Sequence, residues 1–344
     1  MIYSVSNFGY EGQLVTVECD VREGIPALDI VGLADSSVKE LRERVKVAMK
    51  NSCDVEIDKR VLLSLSPADL KKEGACFDLP VALAIMTALK EKETEKIVAF
   101  GELELSGKVR AVRGVYNALL CAKENGIEMA IVPKGNENDI PEGIKYAVVE
   151  DLQEALDYTL NQKVLMTKAE KEAEMSTVDD YSSIFNKVDD EVSLDNVKDF
   201  ASAKFAMAVA AAGKLNLLFY GSPGCGKTML LQRFGQLLPL MNKEEMEVVK
   251  RIRSLVGFLN DEDNIRPFRM PHQSASIEGM CGGGVHCRPG EISLAHNGVL
   301  FLDEAAEFRS SVLQELRVPL ESKQITLSRA GRSTVYPANF QLLM

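Results

Sequence analysis

The chain has 344 residues, of which 46% are hydrophobic and 26% are charged, and its formal net charge is −11. This length and apolar content predict two globular domains with ordinary cores and exclude a disordered or fibrous chain. The acidic balance argues against a protein that coats nucleic acid over its whole surface, although it allows a local basic element.

The start of the chain and its cysteines predict a cytoplasmic protein. Residues 1–13 lack the basic segment and apolar run of a secretory signal. The longest apolar stretches are shorter than the roughly 20 residues that span a bilayer, so no membrane partner is expected. The seven cysteines form no paired framework, which fits a reducing compartment. Cys281 and Cys287 flank His286, but no second ligand pair follows, so we expect these residues to bind no metal.

Residues 1–165 alternate between strand and helix patterns, which predicts an α+β domain. In chain order, the periodicity predicts strands at 13–21 and 27–32, a helix at 36–51, a strand at 60–65, a helix at 77–89, a strand pair within 98–112, a helix at 115–124 and a strand at 129–132. Ser37 and Glu40 have the spacing of a capping box at the start of the first helix. Residues 166–198 are charged and polar, which predicts a linker to a second domain at 199–344.

The second domain carries a complete phosphate-loop motif. Residues 221–228 read GSPGCGKT, between an apolar strand at 216–220 and a helical run at 228–234. Backbone N–H groups and the positive end of that helix can surround phosphates, so the motif predicts binding of ATP or GTP with Mg²⁺. The predicted nucleotide-binding residues are Gly221, Ser222, Pro223, Gly224, Cys225, Gly226, Lys227, Thr228 and Met229.

A second, acidic motif completes the expected chemistry. The apolar run 299–302 predicts a buried strand that ends in Asp303 and Glu304. Lys227 would reach the β- and γ-phosphates, while Thr228 and Asp303 would hold Mg²⁺ through a hydroxyl and through its water shell. Glu304 would polarise the attacking water. The two motifs therefore predict Mg²⁺-dependent hydrolysis of ATP or GTP in which Lys227 and Glu304 are catalytic, and no metal site is expected besides the nucleotide-bound Mg²⁺.

Residues 100–136 resemble the proteolytic domain of Lon proteases, whose fold is like the second domain of ribosomal protein S5. The resemblance lies in the glycine placement and in a strand-turn-strand-helix-strand order, and it extends loosely over residues 1–160. Lon uses a serine nucleophile and a lysine base, but Tyr116 takes the lysine's position and KKEGACFDLPVA lacks the serine. The domain is therefore expected to be proteolytically empty. Ser36 and Ser37 are expected to cap a helix.

Two further segments resemble the magnesium-chelatase-like AAA+ ATPases of the ComM and YifB type. Residues 72–80, KEGACFDLP, match the K-E-G-x-x-F-D-L-P signature, in which Asp78 is expected to cap a helix. Residues 266–308 are similar to the region where Arg-Pro-Phe-Arg, a glycine run and P-G-E-I-S-L-A-H-x-G-V-L-F-L-D-E recur. The resemblance covers essentially the whole chain. It implies an S5-like domain, then a phosphate-loop AAA+ α/β domain, in a homo-oligomeric ring, expected to be a hexamer.

The same resemblance suggests how substrate is contacted. In related ATPases an insertion before the acidic motif projects into the ring pore, and residues 280–289 are rich enough in glycine to be such a loop; an ordinary surface loop is the alternative. After a helix at 311–321, strands at 325–328 and 333–336 predict a hairpin. In MCM helicases this hairpin places a basic residue on DNA, and Arg329 is the matching position, with Arg332 close by. An ion pair of Arg329 at a subunit interface is the alternative.

The chain departs from the family pattern at three places. Gln273 stands where a second histidine is usual, Asp199-Phe200 where Gly-Gln is usual, and Ala305-Ala306 where Leu-Pro is usual. The sequence also stops before the family's polar sensor, arginine finger and helical lid. The AAA+ core is therefore expected to be incomplete at its C-terminus, without its lid, and to bind nucleotide better than it hydrolyses it.

Three functions remain open from the sequence. The leading expectation is an ATP-driven motor that translocates on DNA or drives branch migration, as in competence or recombination. The first alternative is a chelatase-like ATPase that remodels a protein partner. The second is a nucleotide-dependent assembly module that does not hydrolyse ATP.

Overall fold

The computed structural model describes residues 1–32, 35–67, 70, 72, 75–160, 163, 165–167, 193–257, 259, 264–329 and 331–344, with the side chains of all of these except 35–39. The chain divides into two compact units, Met1–Thr177 with Gly257–Leu259 and Val178–Val256 with Asn260–Met344. Within the described residues, no helix is long and apolar enough to cross a membrane.

The first unit is built on one large mixed sheet. Its described strands are β1 (Ile2–Phe8), β2 (Glu11–Arg22), β3 (Ala27–Val31), β4 (Arg60–Ser66), β5 (Ile97–Ala99), β6 (Glu102–Leu103), β7 (Val109–Arg110), β8 (Met129–Pro133), β9 (Lys145–Val149) and β10 (Met166–Thr167). Its described helices are α1 (Asp35–Cys53), α2 (Asp78–Leu89), α3 (Val115–Glu124) and α4 (Leu152–Thr159). Eight strands pair in the order β10-β9-β8-β5-β1-β2-β4-β3, and β6 pairs with β7 in a separate ribbon.

Helices cover both faces of this sheet. In β5, Ile97 and Ala99 belong to the core that contains α1, α2 and α4, whereas Val98 belongs to the core that contains α3. Successive side chains of a strand point to opposite faces. A strand that is buried on both faces therefore reads as a continuous apolar run, as β5 does.

Most elements predicted for the first unit are confirmed to within a few residues, but β1, β9 and α4 were missed. Strand β1 escapes detection because it contains Ser4 and Ser6, which are buried between apolar neighbours and interrupt the hydrophobic pattern. The caps predicted at Ser36 and Ser37 cannot be assigned, because the side chains of these two residues lie outside the described ones. Of the predicted linker, Met166 and Thr167 instead pair with β9 at the sheet edge, and residues 168–192 lie outside the described residues.

The expectation that Asp78 caps helix α2 is wrong. The N-cap is Phe77, which makes no side-chain capping bond. Asp78 is fully buried, and its carboxylate accepts hydrogen bonds from Nε and Nη2 of Arg44 at 2.8 and 3.1 Å. It also accepts one from the N–H of Leu103 at 3.2 Å. Burial raises the pKa of the Asp78 carboxyl, and the bond from Arg44 opposes that rise. One carboxylate thus joins α1, α2 and β6.

Replacing Asp78 with alanine should destabilise the first unit by about 3 kcal/mol, because the Arg44 guanidinium and the Leu103 N–H lose their acceptor. The loss would be measured by urea unfolding followed by circular dichroism. Glu40→Ala is the matched control, since Glu40 lies 3.7 Å from the same guanidinium but at the surface. It should cost less than about 0.5 kcal/mol. Equal losses would contradict a structural role for the buried carboxylate.

The second unit has a smaller, parallel sheet. Its described strands are β11 (Phe268–Arg269), β12 (Gly282–Gly283), β13 (Arg288–Pro289), β14 (Val299–Phe301), β15 (Gln324–Arg329), β16 (Arg332–Pro337) and β17 (Gln341–Leu343). Its described helices are α5 (Ala201–Gly213), α6 (Lys227–Gln232), α7 (Lys243–Ser254), α8 (Ile277–Cys281), α9 (Glu291–Leu294), α10 (Ser310–Glu315) and α11 (Arg317–Ser322). Strand β14 lies between β11 and β17, and both pairings are parallel.

The core of this unit forms where α5 and α6 pack on β14. Val299 and Phe301 of β14 share a cluster with Met207 of α5 and with Leu230 and Leu231 of α6. Just before β14, the ring of His296 accepts the Asn339 N–H at Nδ1, 3.0 Å away. Burial lowers the pKa of His296 to about 4, so this ring stays neutral and can act as an acceptor at physiological pH.

The single helix predicted at 311–321 is divided into α10 and α11. Pro319 has no N–H to bond the carbonyl of Glu315, and Glu315 is the last residue of α10. Val312 and Leu316 are buried on one side, as the periodicity indicated. A single proline therefore explains the break without disturbing the apolar face.

Candidate nucleotide-binding site

The phosphate loop leaves the edge of the parallel sheet at the carboxyl ends of its strands. Leu217 forms a parallel bridge with Leu343, and the Phe219 N–H donates to the carbonyl of Met344 at 2.8 Å. The strand predicted at 216–220 is therefore not a continuous strand, because within it only Leu217 forms a β-bridge. The predicted helix after the loop is α6, which begins at Lys227. Gly224 and Gly226 have φ values of 76° and 85°, a left-handed backbone that glycine adopts without strain.

The Lys227 side chain folds back over the loop. Its Nζ donates hydrogen bonds to the carbonyl oxygens of Gly221 and Ser222, both at 2.9 Å. The Sγ of the exposed Cys225 lies 3.7 Å from the same nitrogen. The ammonium is therefore held at the mouth of the loop, where a phosphate oxygen would meet it.

The two motifs meet at a single hydrogen bond. The hydroxyl of Thr228, in the first turn of α6, donates to Oδ1 of Asp303 at 2.9 Å. Asp303 follows β14, whose residues are all buried. The packing of β14 therefore fixes the position of Asp303 relative to the loop, although the two residues are 75 positions apart in the sequence.

Glu304 is held by a residue whose contact the sequence did not predict. Its backbone is left-handed, with a φ of 52°, and its Oε2 accepts a hydrogen bond from the side-chain amide of Gln273 at 2.8 Å. The sequence marked Gln273 as a departure from the family pattern but gave no sign of its partner. The contact arises from the order of the sheet, because Gln273 follows β11, the parallel neighbour of β14, and the sequence around Gln273 gives no signal for it.

Thr228 and Asp303 fit an Mg²⁺ ion, which prefers oxygen ligands and usually keeps several waters. They supply one hydroxyl and one carboxylate at the same point, and nucleotide phosphates would supply further oxygens. Elsewhere in the described part of the chain, no group of three or more His, Cys, Asp or Glu side chains is placed to hold a metal ion.

The predicted insertion at 280–289 is a compact structure. Gly282 and Gly283 pair antiparallel with Pro289 and Arg288. A Cβ at Gly282 would lie 2.3 Å from the carbonyl oxygen of Arg288, so the close approach of the two strands requires glycine. The carbonyl of Cys287 accepts a hydrogen bond from the buried hydroxyl of Tyr336 at 2.9 Å, which attaches the insertion to strand β16.

The predicted hairpin is confirmed and is one residue longer at each end than expected. Strands β15 and β16 pair from Gln324 with Pro337 to Arg329 with Arg332, and Ala330 in the turn lies outside the described residues. Arg329 is exposed and Arg332 is half-buried. Burial raises the pKa of the Cys287 thiol, and the positive charges of Arg329 and Arg332 oppose that rise. Both arginines thus lie close enough to the insertion to act on it electrostatically.

Comparison with known proteins agrees with this two-unit organisation. Residues 193–344 match the family model "Magnesium chelatase, subunit ChlI", and residues 17–136 match "Subunit ChlI of Mg-chelatase". Competence protein ComM of Haemophilus influenzae is 39% identical over 100% of this chain and 67% of its own length. The uncharacterized protein YifB of Escherichia coli is 37% identical with the same coverage. A Lon protease of Solibacter usitatus is 27% identical over 45% of this chain and 21% of its own length.

The fold and these matches define a two-domain AAA+ protein, in which a Lon-like α+β domain precedes a phosphate-loop α/β domain. Within that class, the chain belongs to the magnesium-chelatase-like family that includes ComM and YifB.

We expect Gln273→Glu to reduce ATP turnover at least tenfold while leaving nucleotide affinity within about twofold. A second carboxylate at hydrogen-bonding distance would repel Glu304 and displace it. Steady-state hydrolysis and equilibrium titration with a fluorescent ATP analogue would separate these effects. Gln273→His, which restores the residue usual in the family, should retain most of the turnover. A Gln273→Glu protein with unchanged turnover would mean that the contact does not position Glu304.

Proposed function

We propose that this chain carries the nucleotide-binding core of a Mg²⁺-dependent ATPase, which acts as a cytoplasmic, hexameric ring motor on DNA. The observation that carries the ATPase proposal is the meeting of Thr228, Asp303 and Glu304 beside the phosphate loop. These are the residue types that phosphoryl transfer needs, at the carboxyl ends of parallel strands, where ligands of α/β folds bind.

Each residue has a distinct task in this proposal. Backbone N–H groups of residues 221–228 receive the phosphates, and Lys227 exchanges its carbonyl partners for phosphate oxygens. Thr228 and Asp303 hold the metal, which supplies charge neutralisation on the phosphates when it is bound. Glu304 accepts a proton from the attacking water or orients it, and Gln273 fixes the direction of its carboxylate.

The DNA part of the proposal is supported by the hairpin at 324–337. Arg329 is exposed at the end of β15, next to an insertion that is attached to the same hairpin. A protein with a net charge of −11 that presents arginines at such a tip has a local site for phosphates. The name of the relative ComM describes it as a competence protein, and that role comes to this chain only as part of the proposal.

Lys227→Ala should weaken ATP binding at least tenfold, since it removes the only positive side chain within the loop. Glu304→Gln should preserve binding but lower turnover about 100-fold or more, because the amide cannot accept the proton of the attacking water. Calorimetry would measure binding, and phosphate release would measure turnover. Hydrolysis that survives both substitutions would refute the assigned roles.

Arg329→Ala should weaken binding of single-stranded DNA in the presence of a nonhydrolysable ATP analogue. Each lost phosphate contact should also reduce the slope of log affinity against log salt by about 0.7. Fluorescence anisotropy would measure both, and Arg329→Lys should retain part of the affinity because it keeps the charge. Arg317→Ala is the control, since this exposed arginine pairs with Glu321 on α11. Absence of binding at low salt would instead favour remodelling of a protein partner.

A further inference from the structure

A cavity of about 430 Å³ lies beside the phosphate loop, within the second unit. Its lining side chains are mostly aliphatic or aromatic, and they are Phe200, Ala203, Leu218, Phe219, Tyr220, Cys225, Lys227 and Leu230. Cys225 and Lys227 belong to the loop itself, so the cavity is continuous with the proposed phosphate site. A group that is covalently attached to bound phosphates would reach it.

The backbone at the cavity wall is held in an unfavourable conformation. Asp199 and Phe200 have φ values of 63° and 58°, so two consecutive residues other than glycine are left-handed. Such residues persist only where the surrounding structure determines them, and they cluster at ligand sites. Directly after them, the carbonyl of Phe200 accepts the Lys204 N–H at 2.9 Å, which starts helix α5. The left-handed backbone of Asp199 and Phe200 therefore fixes the position of the Phe200 ring at the start of α5.

The Phe200 ring is both close to the loop and open to solvent. Its Cζ lies 3.5 Å from the position that a Cβ on Gly226 would occupy, yet the residue is 41% exposed. Tyr220, which also lines the cavity, is 99% exposed. The left-handed backbone thus holds an aromatic ring that is not covered by other side chains. The exposed face of this ring can pack against another flat, apolar group.

We propose that Phe200 stacks on the purine base of the nucleotide whose phosphates occupy residues 221–228. This inference rests on the proposed nucleotide binding but names the base contact and the residue that makes it. The assignment belongs to this chain in particular, because Phe200 stands where Gln is usual in the family. Most of the side chains that line the cavity are apolar, as are the faces of a purine. Stacking on an aromatic side chain accounts for about a tenfold gain in affinity or more.

The chain contains no tryptophan, so Phe200→Trp introduces a single fluorophore at the proposed contact. Its emission should be quenched saturably by ATP and should not respond to tripolyphosphate, which carries the phosphates without a base. Phe205→Trp is the matched control: Phe205 lies in α5, five residues after Phe200, and is 72% exposed, but it does not line the cavity. Its emission should not respond to either ligand.

Phe200→Leu tests the same contact without a new fluorophore, since it keeps an apolar side chain but removes the ring. It should weaken ATP binding about tenfold in calorimetry and leave tripolyphosphate binding unchanged. Suppose that the unaltered protein binds ATP tightly, but ATP does not quench Phe200→Trp and Phe200→Leu keeps its ATP affinity. The base then lies elsewhere and the inference is overturned, while the nucleotide site stands. If the unaltered protein binds no nucleotide, the proposed function fails and this inference fails with it.

Discussion

The hydrogen bond between Thr228 and Asp303 is the contact on which the geometry of the candidate nucleotide site depends. It joins the helix that follows the phosphate loop to the end of the central strand, at 2.9 Å. The bond can form because β14 is buried between two parallel neighbours and cannot shift without exposing Val299, Leu300 and Phe301. Register in a buried strand is strongly determined, since a slip of one residue would turn every side chain to the opposite face. Hydrophobic packing of β14 thereby determines the distance between the Thr228 hydroxyl and the Asp303 carboxylate.

The same principle operates in the first unit with a different outcome. Asp78 is buried at the start of α2 and gathers Arg44 and the Leu103 N–H around one carboxylate. At the position that corresponds to the lysine base of the resembled proteases, Tyr116 is a buried residue of α3. The polar groups at these two positions are therefore enclosed within the domain.

Local patterns made much of this architecture predictable. The phosphate loop, the strand before Asp303 and the hairpin at 324–337 each depend on residues that are adjacent in sequence. The local sequence was therefore sufficient to predict them. Contacts between distant segments were not predictable in this way. Nothing near Gln273 indicates Glu304, and nothing near Asp78 indicates Arg44, because each pair is brought together by sheet order or helix packing. Strand β1 was hidden by buried serines, and Pro319 divided a helix whose apolar periodicity continues across it.

The position of Lys227 has a thermodynamic consequence. Its ammonium already has two carbonyl partners at 2.9 Å, so nucleotide binding at this residue is an exchange of hydrogen bonds and not a gain of two. The net enthalpy is then the difference between a charged acceptor and a neutral one, which is far smaller than the strength of either bond. The entropy cost of binding is reduced in compensation, because a lysine side chain that is already fixed at the loop has little conformational entropy left to lose. Preorganisation of Lys227 therefore lowers both the enthalpy gained and the entropy lost when nucleotide binds.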